Sequence, residues 1–200
     1  RENSELRRGD AVSSEMLGDS AAYKVLKSNL DKVTGTNGRV MLTGPAGAGK
    51  EVAARYIHAN SNRASSPFVS VNSASIEPER MEEVLFGREN GERGIEAGLL
   101  EQAHGGVLYF DEVADMPLGT QSKILRVLVD QQFQRVGGSD KVRVDIRVVS
   151  STNRSLAEEI AAGTFREELF HRLNVVPVVV PSLEERREDI PLLAGHFIEE

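Results

Sequence analysis

The chain alternates between two hydrophobic patterns. From Ser20, apolar residues recur at Tyr23, Leu26, Leu30 and Val33, the spacing of an amphipathic helix, and Gly35-Thr36-Asn37-Gly38 carries the turn chemistry that ends it. Short apolar runs at 39–43, 67–71, 107–110, 142–150 and 175–180 are bounded by polar or glycine-rich residues and predict strands. Helical stretches separate them at 51–58, at 95–103 and around Met81, Val84, Leu85 and Phe86. Another at 120–131 sets Ile124, Leu125, Leu128 and Val129 on one face, and two short ones follow at 155–162 and 165–173. Asn72-Ser73-Ala74-Ser75 breaks the second strand, 87–94 is too rich in glycine and charge for anything but an exposed loop, and 137–140 reads as a hairpin-type turn. Strands alternating with helices predict an α/β fold of three layers, its mostly parallel sheet covered on both faces. Residues 1–15 read as the tail of a linker helix, 16–180 as the α/β core, and the stretch from Pro181 to the end as the start of a helical appendage.

Composition narrows the class. The 200 residues are 40% hydrophobic and 28% charged, ordinary for a globular protein. Without cysteine there are no disulfides, thiolate metal sites or thiol catalysis, which suits a reducing cytoplasm. A net charge of −7 argues against this segment being a nucleic-acid-binding surface by itself. No apolar run approaches the ~20 residues of a membrane span, and the charged start is no signal peptide. Neither end carries a cap or turn, so the sequence is expected to be a segment of a longer protein.

The chemistry concentrates at Gly44-Pro45-Ala46-Gly47-Ala48-Gly49-Lys50-Glu51, between a predicted strand and a predicted helix. Strand, glycine-rich turn and helix together are the setting of a phosphate-binding loop. Glycines let successive backbone N–H groups turn inward on phosphate oxygens, the helix adds the positive end of its dipole, and Lys50 supplies a charge for the β- and γ-phosphates. Glu51 stands where the general motif has a Ser or Thr ligand for Mg²⁺. The competing reading is an ordinary βα turn with a surface lysine. A second centre follows the strand at 107–110, where Asp111 can hold Mg²⁺ and Glu112 can polarise an attacking water. Its bland counterpart is a solvated acidic pair. The histidines at 58, 104, 171 and 196 lack metal-ligand spacing and read as structural or solvated.

Together with Ser151-Thr152-Asn153-Arg154, with the run Phe165-Arg166-Glu167-Glu168-Leu169-Phe170-His171-Arg172-Leu173-Asn174 and with Leu183-Glu184-Glu185-Arg186-Arg187-Glu188-Asp189, these motifs resemble the central AAA+ domain of bacterial enhancer-binding proteins, the ATPases that activate sigma-54 polymerase. The resemblance covers about residues 17–200 and makes Glu51 a family feature. It implies that ATP and Mg²⁺ are the cofactors and that Gly18 joins the loop in nucleotide binding. Asn153 would sense the γ-phosphate, Asn72 would restrain Glu112, and Arg166 and Arg172 would be fingers reaching into a neighbouring subunit. The alternative for both arginines is pairing with Glu167 and Glu168 on the surface. The resemblance also implies self-association into dimers or rings, a receiver domain before this segment, and a helix-turn-helix domain after it through which the parent would contact DNA. One departure stands out: where the family carries a G-A-F-T-G-A loop for sigma-54, Gly91 is followed by Glu92-Arg93-Gly94-Ile95-Glu96. That shortened, charged segment resembles the NtrX subgroup of nitrogen regulators and speaks against a sigma-54 contact. A non-catalytic module, in which nucleotide sets oligomeric state and hence DNA affinity, is the rival to an ATPase.

Overall fold

A computed structural model describes residues 15–91 and 94–199, so the expected linker helix at 1–15 falls almost wholly outside the described residues, as do Glu92 and Arg93 of the shortened loop. Five parallel strands form the central sheet: β1 (Val40–Thr43), β2 (Phe68–Asn72), β5 (Val107–Asp111), β8 (Arg147–Thr152) and β9 (Val176–Val179). Their spatial order is β2-β5-β8-β1-β9, which leaves the phosphate-loop strand β1 one place in from the edge. The period-two alternation of strand side chains decides what each face meets. Val40, Leu42, Val107, Tyr109 and Val149 point to one side, against α1 (Ala21–Thr34) and α2 (Lys50–Ala59). Met41, Leu108, Phe110 and Val148 point to the other, against α3 (Pro78–Phe86), α4 (Leu99–Gln102), α5 (Leu118–Asp130), α6 (Leu156–Ala161) and α7 (Glu167–Leu173). The expected three layers are present.

Local chemistry fixes the helices. Ser20 caps α1 by accepting from the Tyr23 N–H at 3.2 Å, and the four apolar residues read from the sequence are all buried. The far end of α1 is closed by a residue the sequence did not single out. Arg147, 1% exposed at the start of β8, donates to the carbonyls of Val33 (2.7 Å), Gly38 (3.2 Å) and Thr34 (3.3 Å). A cation suits the negative end of a helix, although burial, with Arg63 second, lowers its pKa.

Four expectations need correction. Residues 88–90 and 94 are strand rather than loop: β3 (Arg88–Asn90) pairs antiparallel with β4 (Gly94–Glu96). The helix expected over 95–103 is confined to α4, because β4 and a close backbone approach occupy its first half. A Cβ on Gly98 would lie 2.3 Å from the Gly87 nitrogen, so two glycines are required where α3 ends and α4 begins. The strand expected over 142–150 is two strands. β7 (Lys141–Arg143) pairs with β6 (Gln132–Gln134), and β8 then begins at Arg147, after buried Val144 and Ile146 have carried the chain from the hairpin to the sheet. The α5 face is also rotated from the expected one: Thr120, Gln121, Ile124, Val127 and Leu128 are buried, while Val129 is 53% exposed.

Beyond β9 a 3₁₀ stretch, Glu184–Asp189, leads into α8 (Ile190–Glu199). The Asp189 carboxylate, 1% exposed, accepts from the backbone N–H groups of Asp19 (2.7 Å) and Ser20 (2.8 Å), from the Ser20 hydroxyl (2.6 Å) and from Arg186 Nε (3.0 Å). Burial alone would raise its pKa, but these donors together hold it well below the usual carboxylate range. This clasp joins the segment before α1 to the segment after β9. Among the described residues no helix is long and apolar enough to cross a membrane.

Candidate nucleotide site

The site is built at the carboxyl ends of the parallel strands, where open α/β sheets hold ligands. Residues 44–49 follow β1 and turn directly into α2. Gly47 (φ +76°) and Gly49 (φ +91°) adopt backbone conformations that side chains rarely tolerate. Gly49 caps α2 without any side-chain bond, so the first N–H groups of that helix remain available for an anion. Lys50 is 9% exposed, and its Nζ donates to the carbonyls of Gly44 (2.8 Å) and Pro45 (2.9 Å), across the mouth of the loop. Glu51 accepts from Arg55 one turn on, at 2.8 and 3.1 Å.

Two strands away, β5 ends in Asp111. Its Oδ1 accepts from the Ser151 hydroxyl at 2.9 Å and lies 3.3 Å from the Tyr109 hydroxyl, which donates to Ser151 Oγ at the shorter 2.8 Å. Burial pushes the Tyr109 phenol up, so it stays a donor throughout the ordinary pH range. Glu112 sits in the left-handed region (φ +54°, ψ +64°), a strained setting for a residue with a side chain. Its carboxylate accepts from the Thr152 hydroxyl at 2.7 Å and the Asn153 backbone N–H at 3.0 Å. The expected restraint of Glu112 by Asn72 is not the contact present. Asn72, in register beside Asp111, is occupied at the end of β2, where its Oδ1 accepts from Ala74 N–H at 3.1 Å to cap a 3₁₀ turn.

Beside the loop lies a cavity of about 560 Å³, lined by residues 15–17, Gly47 to Gly49, Val52, Val180, Arg186 and the inner side of α8. Gly18 stands at its margin, packed so tightly that a Cβ would meet the Tyr23 ring at 2.5 Å and the Arg186 guanidinium at 2.6 Å. Arg186 lies over that ring at 5.1 Å and holds the Leu17 carbonyl at 2.6 Å, so the Asp189 clasp also shapes the cavity wall. An apolar cavity next to a phosphate cradle fits a nucleotide with its base in the cavity. The donor set also suits Mg²⁺. Asp111 keeps Oδ2 without a hydrogen bond among the described residues, and a hard cation held with nucleotide phosphates needs few protein oxygens.

The sequence-predicted residues therefore divide. The loop, Lys50, Asp111, Glu112, Asn72 and Asn153 share one edge of the sheet. Arg166 and Arg172 do not join them: both are exposed on or next to α7, where Arg166 Nε bonds the Leu118 carbonyl at 3.2 Å. Among the described residues neither arginine bonds Glu167 or Glu168, the expected alternative partners, and the Glu167 carboxylate lies 3.5 Å from His171 Nε2. Tyr109, Ser151 and Thr152 were missed as site residues. The signal was the three consecutive hydroxyls at 150–152 on a strand adjoining the acidic pair.

Comparison with known proteins places these features. The sigma-54 interaction domain model matches residues 16–179. The nitrogen assimilation regulatory protein NtrX of Azorhizobium caulinodans is 57% identical over 185 residues, 92% of this chain and 41% of that protein. Crystal structures of NtrX from Brucella abortus superpose over 99% of this chain. The one in complex with ADP has a TM-score of 0.90 at 57% identity, and the one in complex with ATP 0.88 at 56%. The chain spans less than half the length of these relatives.

Proposed function

This chain belongs to the sigma-54 interaction domain family, a family of P-loop NTPases with the AAA+ fold, and on that premise we propose that it binds ATP with Mg²⁺ and hydrolyses it within a two-component regulator of transcription. The observation that carries the proposal is the convergence of an open phosphate loop, a metal-competent Asp111 and a restrained Glu112 on one sheet edge. The N–H groups of residues 47–50 receive the β-phosphate, and Lys50 exchanges its two loop carbonyls for phosphate oxygens. The cation, when bound, neutralises charge on the β- and γ-phosphates. Glu112 takes the proton of the attacking water once it leaves the Thr152 hydroxyl and the Asn153 N–H, and the Asn153 side chain senses the γ-phosphate. Glu51 acts through Arg55, and Gly18 lets the base-side wall close. Asn72 steadies the β2 end beside Asp111.

Arg166 and Arg172 are exposed and lie apart from the chain's own site, which suits fingers that complete a neighbour's site, so hydrolysis requires self-association. In the parent, a receiver domain precedes this segment and a helix-turn-helix domain that contacts DNA follows it, in the cytoplasm. Residues 181–200 begin a helical lid.

A second reading rests on the β3–β4 hairpin. Its described residues are mostly charged or glycine, and Ile95, 59% exposed, is the large apolar side chain there. A transient grip on sigma-54 needs apolar burial, so the parent would regulate by nucleotide-dependent assembly on DNA without opening sigma-54 promoters. Phosphate release by the full-length protein decides between turnover and mere binding. Wild-type is expected to turn over, and Glu112→Gln to retain ATP affinity while losing about 100-fold or more in rate. Absence of turnover in assembled wild-type protein would leave the second reading standing alone. ATP-dependent open-complex formation with sigma-54 polymerase would remove it.

A further inference from the structure

Asp111 is reached by an arrangement that the phosphate-loop reading does not use. Two buried hydroxyls converge on a single oxygen of its carboxylate. Tyr109 is fully buried, and its ring is stacked on Phe68 with centroids 6.0 Å apart and planes 25° apart. Phe68 in turn lies under the Arg55 guanidinium at 4.7 Å. Packing from the α2 side therefore fixes the direction of the phenol. Ser151 is equally buried, and the parallel register that pairs Phe110 with Ser150 sets it beside Asp111.

Each hydroxyl has one proton to give. Tyr109 is 2.8 Å from Ser151 Oγ and 3.3 Å from Asp111 Oδ1, so its proton goes to the serine. Ser151 then donates to Asp111 Oδ1 at 2.9 Å, and its oxygen receives the Glu112 N–H at 3.4 Å as well. The result is a directed chain in which each bond polarises the next. It occupies one carboxylate oxygen and leaves the other, among the described residues, as the ligand atom.

We propose that Tyr109 and Ser151 are positioning residues for the Asp111 carboxylate, fixing its rotamer so that a divalent cation bound with nucleotide meets a prealigned oxygen. The proposal rests on the reading of Asp111 as the metal residue, and it adds a tuning element drawn from the core. Partners that orient a ligating carboxylate change metal affinity by about 10–100-fold when removed. Ser151 touches Asp111 directly and Tyr109 acts through it, so their effects should differ in size and overlap.

The test is Mn²⁺ binding by electron paramagnetic resonance on the full-length protein saturated with ADP, with ADP affinity in EDTA as the control. Ser151→Ala should weaken Mn²⁺ about tenfold and Tyr109→Phe about threefold, and the double variant should fall short of the product because the two share one path. ADP affinity in EDTA should stay within twofold in all three. Tyr109→Phe keeps the stacked ring, so it separates the hydroxyl from packing. Unchanged Mn²⁺ affinity in both single variants overturns the proposal while leaving the nucleotide reading intact. An equal loss of ADP affinity in EDTA overturns it too, since the hydroxyls would then hold the fold rather than the metal ligand. No ADP-dependent Mn²⁺ site in wild-type protein would overturn both.

Discussion

Replacing Lys50 with alanine should do two separable things. The sequence alone casts Lys50 as a charge for phosphates, but the structure also has it 9% exposed and bonded to the Gly44 and Pro45 carbonyls. Hydrogen bonds to a charged group contribute about 1.5–3 kcal/mol each. Gly44 is half-buried and Pro45 exposed, so water can reach both carbonyls once the side chain is gone. Rehydration would recover most of the loss and leave nucleotide-free protein less stable by about 1–2 kcal/mol. The larger effect is on ligand. Wild-type lysine trades two carbonyls for phosphate oxygens, and losing that exchange should cost about 3 kcal/mol of binding, roughly 100-fold in Kd. Urea unfolding of the nucleotide-free protein reads the first quantity, and calorimetric titration with ADP reads the second. Wild-type stability with unchanged ADP affinity would refute both the loop bonds and the phosphate role. A loss of stability with unchanged affinity would refute the phosphate role alone.

Arg147→Met should destabilise the protein by about 2–4 kcal/mol, because two carbonyls at the end of α1 and that of Gly38 in the turn beyond lose a buried cationic donor; unfolding within 0.5 kcal/mol of wild-type would contradict that role. Asp189 has a depressed folded pKa, so its contribution is complete above the unfolded carboxylate value of about 4 and disappears as pH falls through the folded value. Unfolding free energy should therefore fall from pH 5 towards pH 2, and Asp189→Asn should flatten that fall while lowering stability at pH 7 by about 3 kcal/mol. Parallel pH profiles for the two proteins would show that the clasp is not the source.

The mostly parallel sheet, its two covered faces and the phosphate loop were legible because each rests on local pattern: apolar runs of strand length, helical spacing at Tyr23, Leu26, Leu30 and Val33, and glycines between a strand and a helix. What escaped depends on contacts distant in sequence. Arg147 and the end of α1 are separated by more than a hundred residues, as are Asp189 and Ser20. The Gly87–Gly98 approach was hidden for another reason, since glycine announces a turn but not what presses against it. Within the site, the motif located Glu112 but not its holder. Thr152 comes from a neighbouring strand whose register with β5 appears once the sheet is assembled.

The two-faced sheet has a consequence for how the chain can change over generations. Val40 and Leu42 belong to one interior compartment and Met41 to the other, so neighbours along the chain are strangers in space. A volume change at Ile57 must be absorbed by α1, α2 and one row of strand residues, while Ile124 and Leu169 are insulated from it by the backbone layer. Paired substitutions within one compartment should compensate each other, and pairs drawn from opposite compartments should simply add. Descendants of this sequence can thus re-tailor the side that packs beneath the phosphate-loop helix without disturbing the side that supports α5 and α7. Their drift would run along two nearly independent tracks.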